Sequence, residues 1–114
     1  MKTVRVVRDT DGRHKFKAVF PEGRTVHFGA RGYSDYTIHK DTARMKRYVI
    51  RHGGRSAPGA RGTRSRRENW GRTGMYTPGF WSRWLLWSRP TLSGAVAKTQ
   101  RVLGRRIIFG APSK

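Results

Sequence analysis

The sequence predicts an α+β fold in which a small antiparallel sheet packs with about three helices. Three observations predict it. Short runs of alternating apolar and polar residues fill residues 2–29, and apolar residues recur with helical spacing in several later segments. Between these parts, residues 53–67 are rich in glycine and arginine and contain no large apolar residue, which is typical of a disordered basic linker.

The N-terminal segment predicts a three-stranded antiparallel meander over residues 2–29. The runs TVRVVR, KFKAVF and RTVHFG are separated by DTDG and PEG, whose residues favour tight turns. Phe16, Ala18 and Phe20 occupy alternate positions in the second run, and Val26 and Phe28 do so in the third. This period of two indicates strands with one buried face.

Residues 41–52 predict the first helix. Asp41 is a suitable N-cap, and Gly53 with Gly54 ends the helical pattern. The apolar face carries Met45, Tyr48, Val49 and His52. At about 100° per residue, a neighbouring stripe carries Arg44, Arg47 and Arg51, so one side packs and the adjacent side is cationic.

The C-terminal segment predicts two further helices and a short strand. On the first of these helices Phe80, Trp81, Trp84, Leu85 and Trp87 share one arc, with Leu86 mostly outside it. Pro90 ends this helix, the next runs from about Thr91 to Gly104, and RRIIF predicts a last short strand, which would join the sheet. The predicted organisation is a single domain in two parts, residues 1–52 and 68–110, joined by the linker 53–67 and followed by a tail at 111–114.

The composition excludes several classes of protein. There is no cysteine, which excludes disulfide frameworks, thiol catalysis and cysteine-ligated zinc. No run approaches the roughly 18 to 20 apolar residues of a spanning helix, and MKTVRVVRDTDG lacks the apolar core of a signal peptide. We expect a soluble protein that is made in a cytosol and has no membrane partner.

The charge predicts a polyanionic partner. Lysine and arginine number 26 against 6 acidic residues, 19 of the 26 are arginine, and the formal net charge is +20. Arginine binds phosphate through a planar bidentate fork, whereas solubility alone would be served as well by lysine or by acids. After Asp41 the only acid is Glu68, against 17 lysines and arginines.

The tryptophans of PGFWSRWLLWSRP, residues 78–90, allow three interpretations: a membrane anchor, a platform for stacking bases, or a hydrophobic core. Arg83 and Arg89 interrupt a helix of about ten residues, which disfavours the anchor. The core is favoured because these rings share a helical face with Leu85 in a chain poor in large apolar residues. Partial exposure for stacking or for a protein contact is the alternative. The predicted core aromatic residues are Tyr48, Trp70, Trp81, Trp84 and Trp87.

The segment YSDYTIHKD is the best place in the sequence for an active site, since Asp35, His39 and Asp41 have the side chains of metal and acid–base chemistry. Their spacing matches no ligand motif. We expect Asp41 to cap a helix, Asp35 to pair with an arginine or close a turn, and His39 to lie on the polar surface. The other histidines, His14, His27 and His52, are scattered singly. We therefore predict no enzyme, catalytic residue, cofactor, metal or small-molecule substrate.

The remaining candidates are cationic side chains for contact with phosphates. Such contacts give affinity and salt dependence without reading base sequence. The predicted residues are Arg44, Lys46, Arg47 and Arg51 in the first helix, Arg55, Arg61, Arg64, Arg66 and Arg67 in the linker, and Arg101, Arg105 and Arg106 near the end.

Two segments, FGARGYSDYTIHKDTARMKRYVIRHG and ENWGRTGMYTPGFWSRWLLWSRPTL, resemble a family of small basic proteins of large nucleocytoplasmic DNA viruses, the dinoflagellate/viral nucleoproteins. The resemblance covers most of residues 15–108. It implies histone-like binding and compaction of double-stranded genomic DNA, in the virion and in the host nucleus or a cytoplasmic viral factory. The glycine- and arginine-rich segment 53–67 departs from the shorter, lysine-rich connection of many viral members.

Two other functions are consistent with the same cations. The first is a structural virion protein, a minor capsid or core component that binds acidic surfaces of other virion proteins. The second is RNA binding, which differs from the main hypothesis only in the preferred polymer.

Overall fold

The computed structural model describes residues 3–52 and 68–110, which form the predicted α+β fold. The strands are β1 (Thr3–Arg8), β2 (His14–Val19), β3 (Thr25–Ala30) and β4 (Arg106–Phe109). The helices are α1 (Tyr36–His39), α2 (Thr42–His52), α3 (Pro78–Trp81) and α4 (Leu92–Leu103), with a 3₁₀ turn at Arg72–Gly74 and a π-helical turn at Ser82–Leu86. The predicted linker 53–67 and tail 111–114 lie outside the described residues.

The four strands form one sheet in the order β3-β2-β1-β4. β1, β2 and β3 are antiparallel neighbours, which confirms the predicted meander. The sheet is mixed and not purely antiparallel as predicted. The C-terminal strand β4 pairs with β1 in parallel, and Ile107 lies beside Val4. A parallel neighbour needs a long crossover connection, and here almost the whole chain lies between the two strands.

The core lies between one face of the sheet and the segment that contains α3, the π turn and α4. Trp81 is fully buried at its centre, and its ring centroid lies 5.7 Å from that of Phe28 and 5.9 Å from that of Phe20. The Trp81 indole N–H donates to the Met75 carbonyl oxygen at 2.8 Å, so the polar edge of this ring is satisfied. The other buried members of the core are Val4, Val6, Phe16, Ala18, Val26, Phe80, Leu85, Leu86, Leu103 and Ile107.

The π turn changes which residues face the sheet. Regular helical spacing predicted Leu86 mostly outside the apolar arc, and this was wrong; Trp87, predicted inside the arc, does pack against the core. Leu86 is 2% exposed, whereas Trp87 is only partly buried. In a π turn the hydrogen bonds join residues five apart, so Leu86 follows Trp81 on the same side. Gly29 on β3 makes room for it, since a Cβ there would lie 2.9 Å from the Leu86 Cδ1 atom.

The ends of α4 follow the predicted signals. The Thr91 hydroxyl accepts a hydrogen bond from the Gly94 amide at 3.1 Å, which caps the first turn. Gly104 adopts a φ of 74° directly after the last helical residue, a conformation that glycine adopts without strain. The chain then enters β4.

Replacing Trp81 by alanine should lower the free energy of unfolding by about 3–5 kcal/mol, because it leaves a cavity at the centre of the core. Urea denaturation followed by circular dichroism measures this loss. Trp84→Ala is the matched control and should cost less, since Trp84 is only partly buried at the edge of the core. Equal losses for the two variants would contradict a special role of Trp81.

Candidate nucleic-acid interface

Helix α2 packs through a single buried aromatic residue. Tyr48 is 6% exposed, and its ring is parallel to that of Trp87, with centroids 4.4 Å apart and an interplanar angle of 3°. The His52 ring stacks on Tyr48 at 4.3 Å. Burial raises the pKa of the Tyr48 hydroxyl above its ordinary value. The neighbouring side of the helix, which carries Arg44, Arg47 and Arg51, is exposed to solvent.

The first turn of α2 is capped as predicted. The Asp41 carboxylate accepts hydrogen bonds from the Ala43 and Arg44 amides at 3.0 and 3.3 Å. The C-terminal end of α2 is held by the start of the second half of the chain. The Glu68 amide donates to the His52 carbonyl oxygen at 3.1 Å, and the Glu68 carboxylate lies 3.2 Å from the His52 Nδ1 atom.

This contact fixes where segment 53–67 is attached. Because His52 and Glu68 are hydrogen-bonded, the segment leaves and re-enters the fold at the same point, the C-terminal end of α2. Five of the predicted cationic residues, Arg55, Arg61, Arg64, Arg66 and Arg67, belong to this segment and lie outside the described residues. In the sequence this segment directly follows α2, the helix that carries Arg51.

The cationic residues predicted on α2 are all exposed. Arg44, Lys46, Arg47 and Arg51 face solvent, and within residues 3–52 and 68–110 none of them forms an ion pair. Arg44, Arg47 and Arg51 recur three and four residues apart, which places them in one row along the helix. The structure thus brings three of the predicted residues together in one row, and Lys46 lies on the same helix outside that row.

The six acidic residues are engaged elsewhere. Asp35 pairs with Lys15, Glu22 with Arg105, and Asp41 caps α2. The other three are Asp9, Asp11 and Glu68, which contact histidines. Among the described residues, therefore, no carboxylate forms an ion pair with Arg44, Lys46, Arg47 or Arg51.

The predicted cations near the C-terminus differ among themselves. Arg101 and Arg106 are exposed, on α4 and β4 respectively. Arg105 instead forms a bidentate ion pair with Glu22, with both N–O distances 2.9 Å, and its guanidinium lies over the Phe20 ring. Arg105 therefore has a partner within the fold, unlike the cations of α2.

Of the other predicted core tryptophans, Trp84 and Trp87 are partly buried and pack against the core, and Trp70 is also partly buried. The Trp84 indole N–H donates to the Trp70 carbonyl oxygen at 2.8 Å. Arg83 lies over both rings, 4.7 Å from the Trp84 centroid and 5.3 Å from the Trp70 centroid. One face of Trp87 is covered by Tyr48. These intramolecular contacts occupy ring surface that base stacking would need.

In the predicted alternative site, Asp35 and Asp41 each cap the first turn of a helix, α1 and α2 respectively. Asp35 closes a turn by accepting from the Thr37 amide at 2.9 Å, one of its two predicted roles, and thereby caps α1, a single turn that the sequence pattern did not predict. Its carboxylate pairs with Lys15 at 2.5 Å and not with an arginine. His39 is half-buried and contacts the Trp87 ring at 5.3 Å, so its placement on the polar surface was wrong. The His39 Nδ1 atom accepts from the Asp41 amide.

Two features of the surface were missed. Asp9, Asp11, His14 and His27 converge at the end of the sheet, which their separation in the sequence concealed. Tyr33 and Ile38 are 74% and 60% exposed. They line an open cavity of about 770 Å³ together with residues that include Arg8 and Arg31. The sequence shows Arg8 and Arg31, but no pattern in it predicts that they lie beside the exposed side chains of Tyr33 and Ile38.

Comparisons with known proteins show a similarity over the N-terminal part of the chain. Residues 4–52 are similar to a family of unknown function, DUF5754, and this match spans the meander, α1 and α2. No curated protein matches the chain, and no solved structure matches it. Within the described residues, no helix is long and apolar enough to cross a membrane.

The Glu22–Arg105 ion pair predicts part of the acid sensitivity of the fold. Hydrogen bonds from Arg105 and then from the Tyr76 hydroxyl lower the pKa of Glu22 from 4.5 to about 2. The charged form therefore stabilises the fold above about pH 4.5, and this contribution is lost as the pH falls towards 2. Glu22→Gln should flatten the decrease in stability over that window, measured by urea denaturation at a series of pH values.

Arg105→Gln is the paired control, because it removes the main hydrogen-bond donor and should flatten the same window. An unchanged acid profile in Glu22→Gln would show that the ion pair does not contribute in solution.

Proposed function

We propose that this protein binds double-stranded DNA through the phosphate backbone, with little dependence on base sequence, and compacts it in a histone-like role. The observation that carries the proposal is the row of exposed cations on α2, which has no acidic partner in the described structure. A protein with a net charge of +20 and such a row lowers its own repulsion when a polyanion supplies counter-charge.

The dimensions of the row suit a phosphate strand. Arg44 and Arg51 are seven residues apart, which corresponds to about 10 Å along the helix axis. Phosphates of one strand are spaced about 3.4 Å along the axis of DNA, so the row spans about three of them. Guanidinium groups bind phosphates bidentately, and these contacts carry no information about base identity.

The attachment of segment 53–67 supports one continuous interface. The segment starts and ends at the C-terminal end of α2, next to Arg51, and contributes five arginines with no acid. Basic segments of this composition neutralise phosphates along a strand. Helix and segment together then supply nine of the twelve predicted phosphate contacts, and Arg101 and Arg106 are exposed further candidates.

The resemblance to the dinoflagellate/viral nucleoproteins supports the same proposal. Its motifs include GYSDYTIHKD and GFWSRWLLWSRPT, and the second contributes Trp81, Leu85 and Leu86 to the core. It would place the protein on the genome of a large DNA virus, in the virion and in the host nucleus or a viral factory.

A second candidate function is a structural virion protein. The observation that favours it is the exposure of Tyr33 and Ile38 beside Arg8 and Arg31, since tyrosine and arginine are enriched at protein interfaces. Cross-linking in intact particles distinguishes the two functions. DNA should be cross-linked to the α2 surface, whereas a shell component would be linked to capsid protein through the Tyr33 surface.

The affinity for double-stranded DNA should fall linearly on a plot of log K against log salt, with a slope of about 0.9 for each neutralised phosphate. The triple variant Arg44→Gln, Arg47→Gln, Arg51→Gln should reduce that slope by roughly 2 to 3 and weaken binding equally for unrelated sequences. Fluorescence anisotropy over a range of salt concentrations measures both effects.

The matched control removes the same charge from β1 and the turn that follows it, with Arg5→Gln, Arg8→Gln and Arg13→Gln, three exposed residues outside the predicted site. An equal effect of the two triple variants would mean that only total charge matters and that α2 is not the interface. Competition with single-stranded DNA and RNA tests the polymer: stronger competition by RNA would contradict the proposal.

A further inference from the structure

A cluster of metal-ligating side chains lies away from α2, where the turn after β1 meets β2 and β3. Asp9 and Asp11 belong to the turn, His14 begins β2, and His27 lies on β3. One ligand atom from each of these four residues lies within 4.8 Å of the other three. The folding of the meander creates this proximity, because 13 positions separate His14 from His27.

Backbone amides orient both carboxylates. The Asp9 Oδ1 atom accepts from the Asp11 amide at 3.1 Å. The Asp11 Oδ1 atom accepts from the amides of Arg13 and His14 at 2.8 and 2.9 Å. In each carboxylate this leaves the second oxygen, Oδ2, directed towards an imidazole. The two ligand oxygens are thus positioned before any ion binds.

The two imidazoles meet these oxygens through their Nδ1 atoms. The distance from His27 Nδ1 to Asp9 Oδ2 is 2.5 Å, and that from His14 Nδ1 to Asp11 Oδ2 is 2.6 Å. The Asp11 Oδ2 atom also lies 3.7 Å from His27 Nδ1, between the two rings. Each imidazole thus lies against a carboxylate oxygen, and the Asp11 oxygen lies near both rings.

We propose that Asp9 Oδ2, Asp11 Oδ2, His14 Nδ1 and His27 Nδ1 form a structural site for a divalent transition metal, with Zn²⁺ as its ion. Two imidazoles favour such a metal over Mg²⁺ or Ca²⁺, which take oxygen ligands. Two carboxylates balance the charge of the ion. Four protein ligands complete a tetrahedral shell, which is typical of a structural zinc site and leaves no open position for substrate.

The separations require only small movements. With bonds of about 2.0–2.2 Å, the ligand atoms of tetrahedral zinc lie roughly 3.4 Å apart. The two closest pairs would open by roughly 0.8 to 0.9 Å, and the widest separation, within 4.8 Å, would close by at most about 1.4 Å. Zinc replaces the protons on the Nδ1 atoms, and each ring then carries its proton on Nε2.

The four proposed ligands differ in their exposure to solvent. The Asp9 side chain is 2% exposed, whereas those of Asp11, His14 and His27 are 32%, 35% and 44% exposed. Asp9 thus anchors the ion from the interior, and the other three ligands leave a path from solvent. Bound zinc would tie the β1–β2 turn to β3 and stabilise the meander, because the unfolded chain does not hold these groups together.

The chain is well suited to a test because it contains only four histidines and no cysteine. Full-length protein freed of metal with a chelator is titrated with ZnCl₂ in the absence of DNA. Zinc at about 100 times its dissociation constant should raise the melting temperature by roughly 10 °C. Co²⁺ should give the visible absorption of a tetrahedral site, and nitrogen NMR should show metal on the Nδ1 atoms of His14 and His27.

Asp11→Asn and His14→Asn should each abolish the rise in melting temperature and the tetrahedral cobalt spectrum. His52→Asn is the matched control, because His52 also contacts a carboxylate, that of Glu68 at 3.2 Å, but lies outside the cluster. It should keep the full response to zinc. Circular dichroism of the metal-free variants establishes that each one is folded. Both ligands that are replaced are partly exposed.

No rise in melting temperature with ZnCl₂, or an unchanged rise in Asp11→Asn and His14→Asn, would overturn the proposal. A rise lost equally in His52→Asn would show nonspecific binding and would also overturn it. The salt dependence of DNA binding is measured on Asp11→Asn and His14→Asn and should not change. The metal site and the DNA-binding function can therefore fail independently.

Discussion

The contact between Trp81 and the sheet joins the two layers of the fold. Its ring is completely buried against Phe20 and Phe28, and its indole N–H is satisfied by the Met75 carbonyl oxygen. A chain with a formal charge of +20 repels itself when it becomes compact, so its core must supply enough burial of apolar surface to overcome that repulsion. Large rings supply this area with few residues, which explains why they are concentrated around the end of α3.

The acidic residues are the second constraint. Each of the six fixes a particular element: Asp35 and Asp41 start α1 and α2, Glu68 holds the end of α2, and Glu22 ties the β2–β3 turn to Arg105. Asp9 and Asp11 shape the turn that follows β1. Because local structure uses all of them, the exposed row of α2 keeps its charge for an external anion. The same positions that stabilise the fold thereby define the surface that we propose for DNA.

Much of the fold could be predicted because local chemistry determines it. Thr91 and Gly104 bound α4 through hydrogen bonds and backbone conformations that involve adjacent residues only. The alternation of Phe16 and Ala18 follows from the pleat of a strand with one buried face. The alignment of Arg44, Arg47 and Arg51 in one row follows from their helical spacing. The parallel pairing of β4 was not predictable in this way, since it depends on how the chain between the strands crosses the sheet.

By itself, the sequence determined the four strands, α2 and α4 with their caps, and the position of the arginine row, because each depends on spacing of a few residues. Tertiary structure alone decided three other features. It placed Leu86 in the core through a π turn, joined His52 to Glu68 across segment 53–67, and assembled Asp9, Asp11, His14 and His27 at one point. In each case the partners are held together by packing or by strand pairing between distant parts of the chain. Patterns of residue spacing along the sequence cannot predict such contacts.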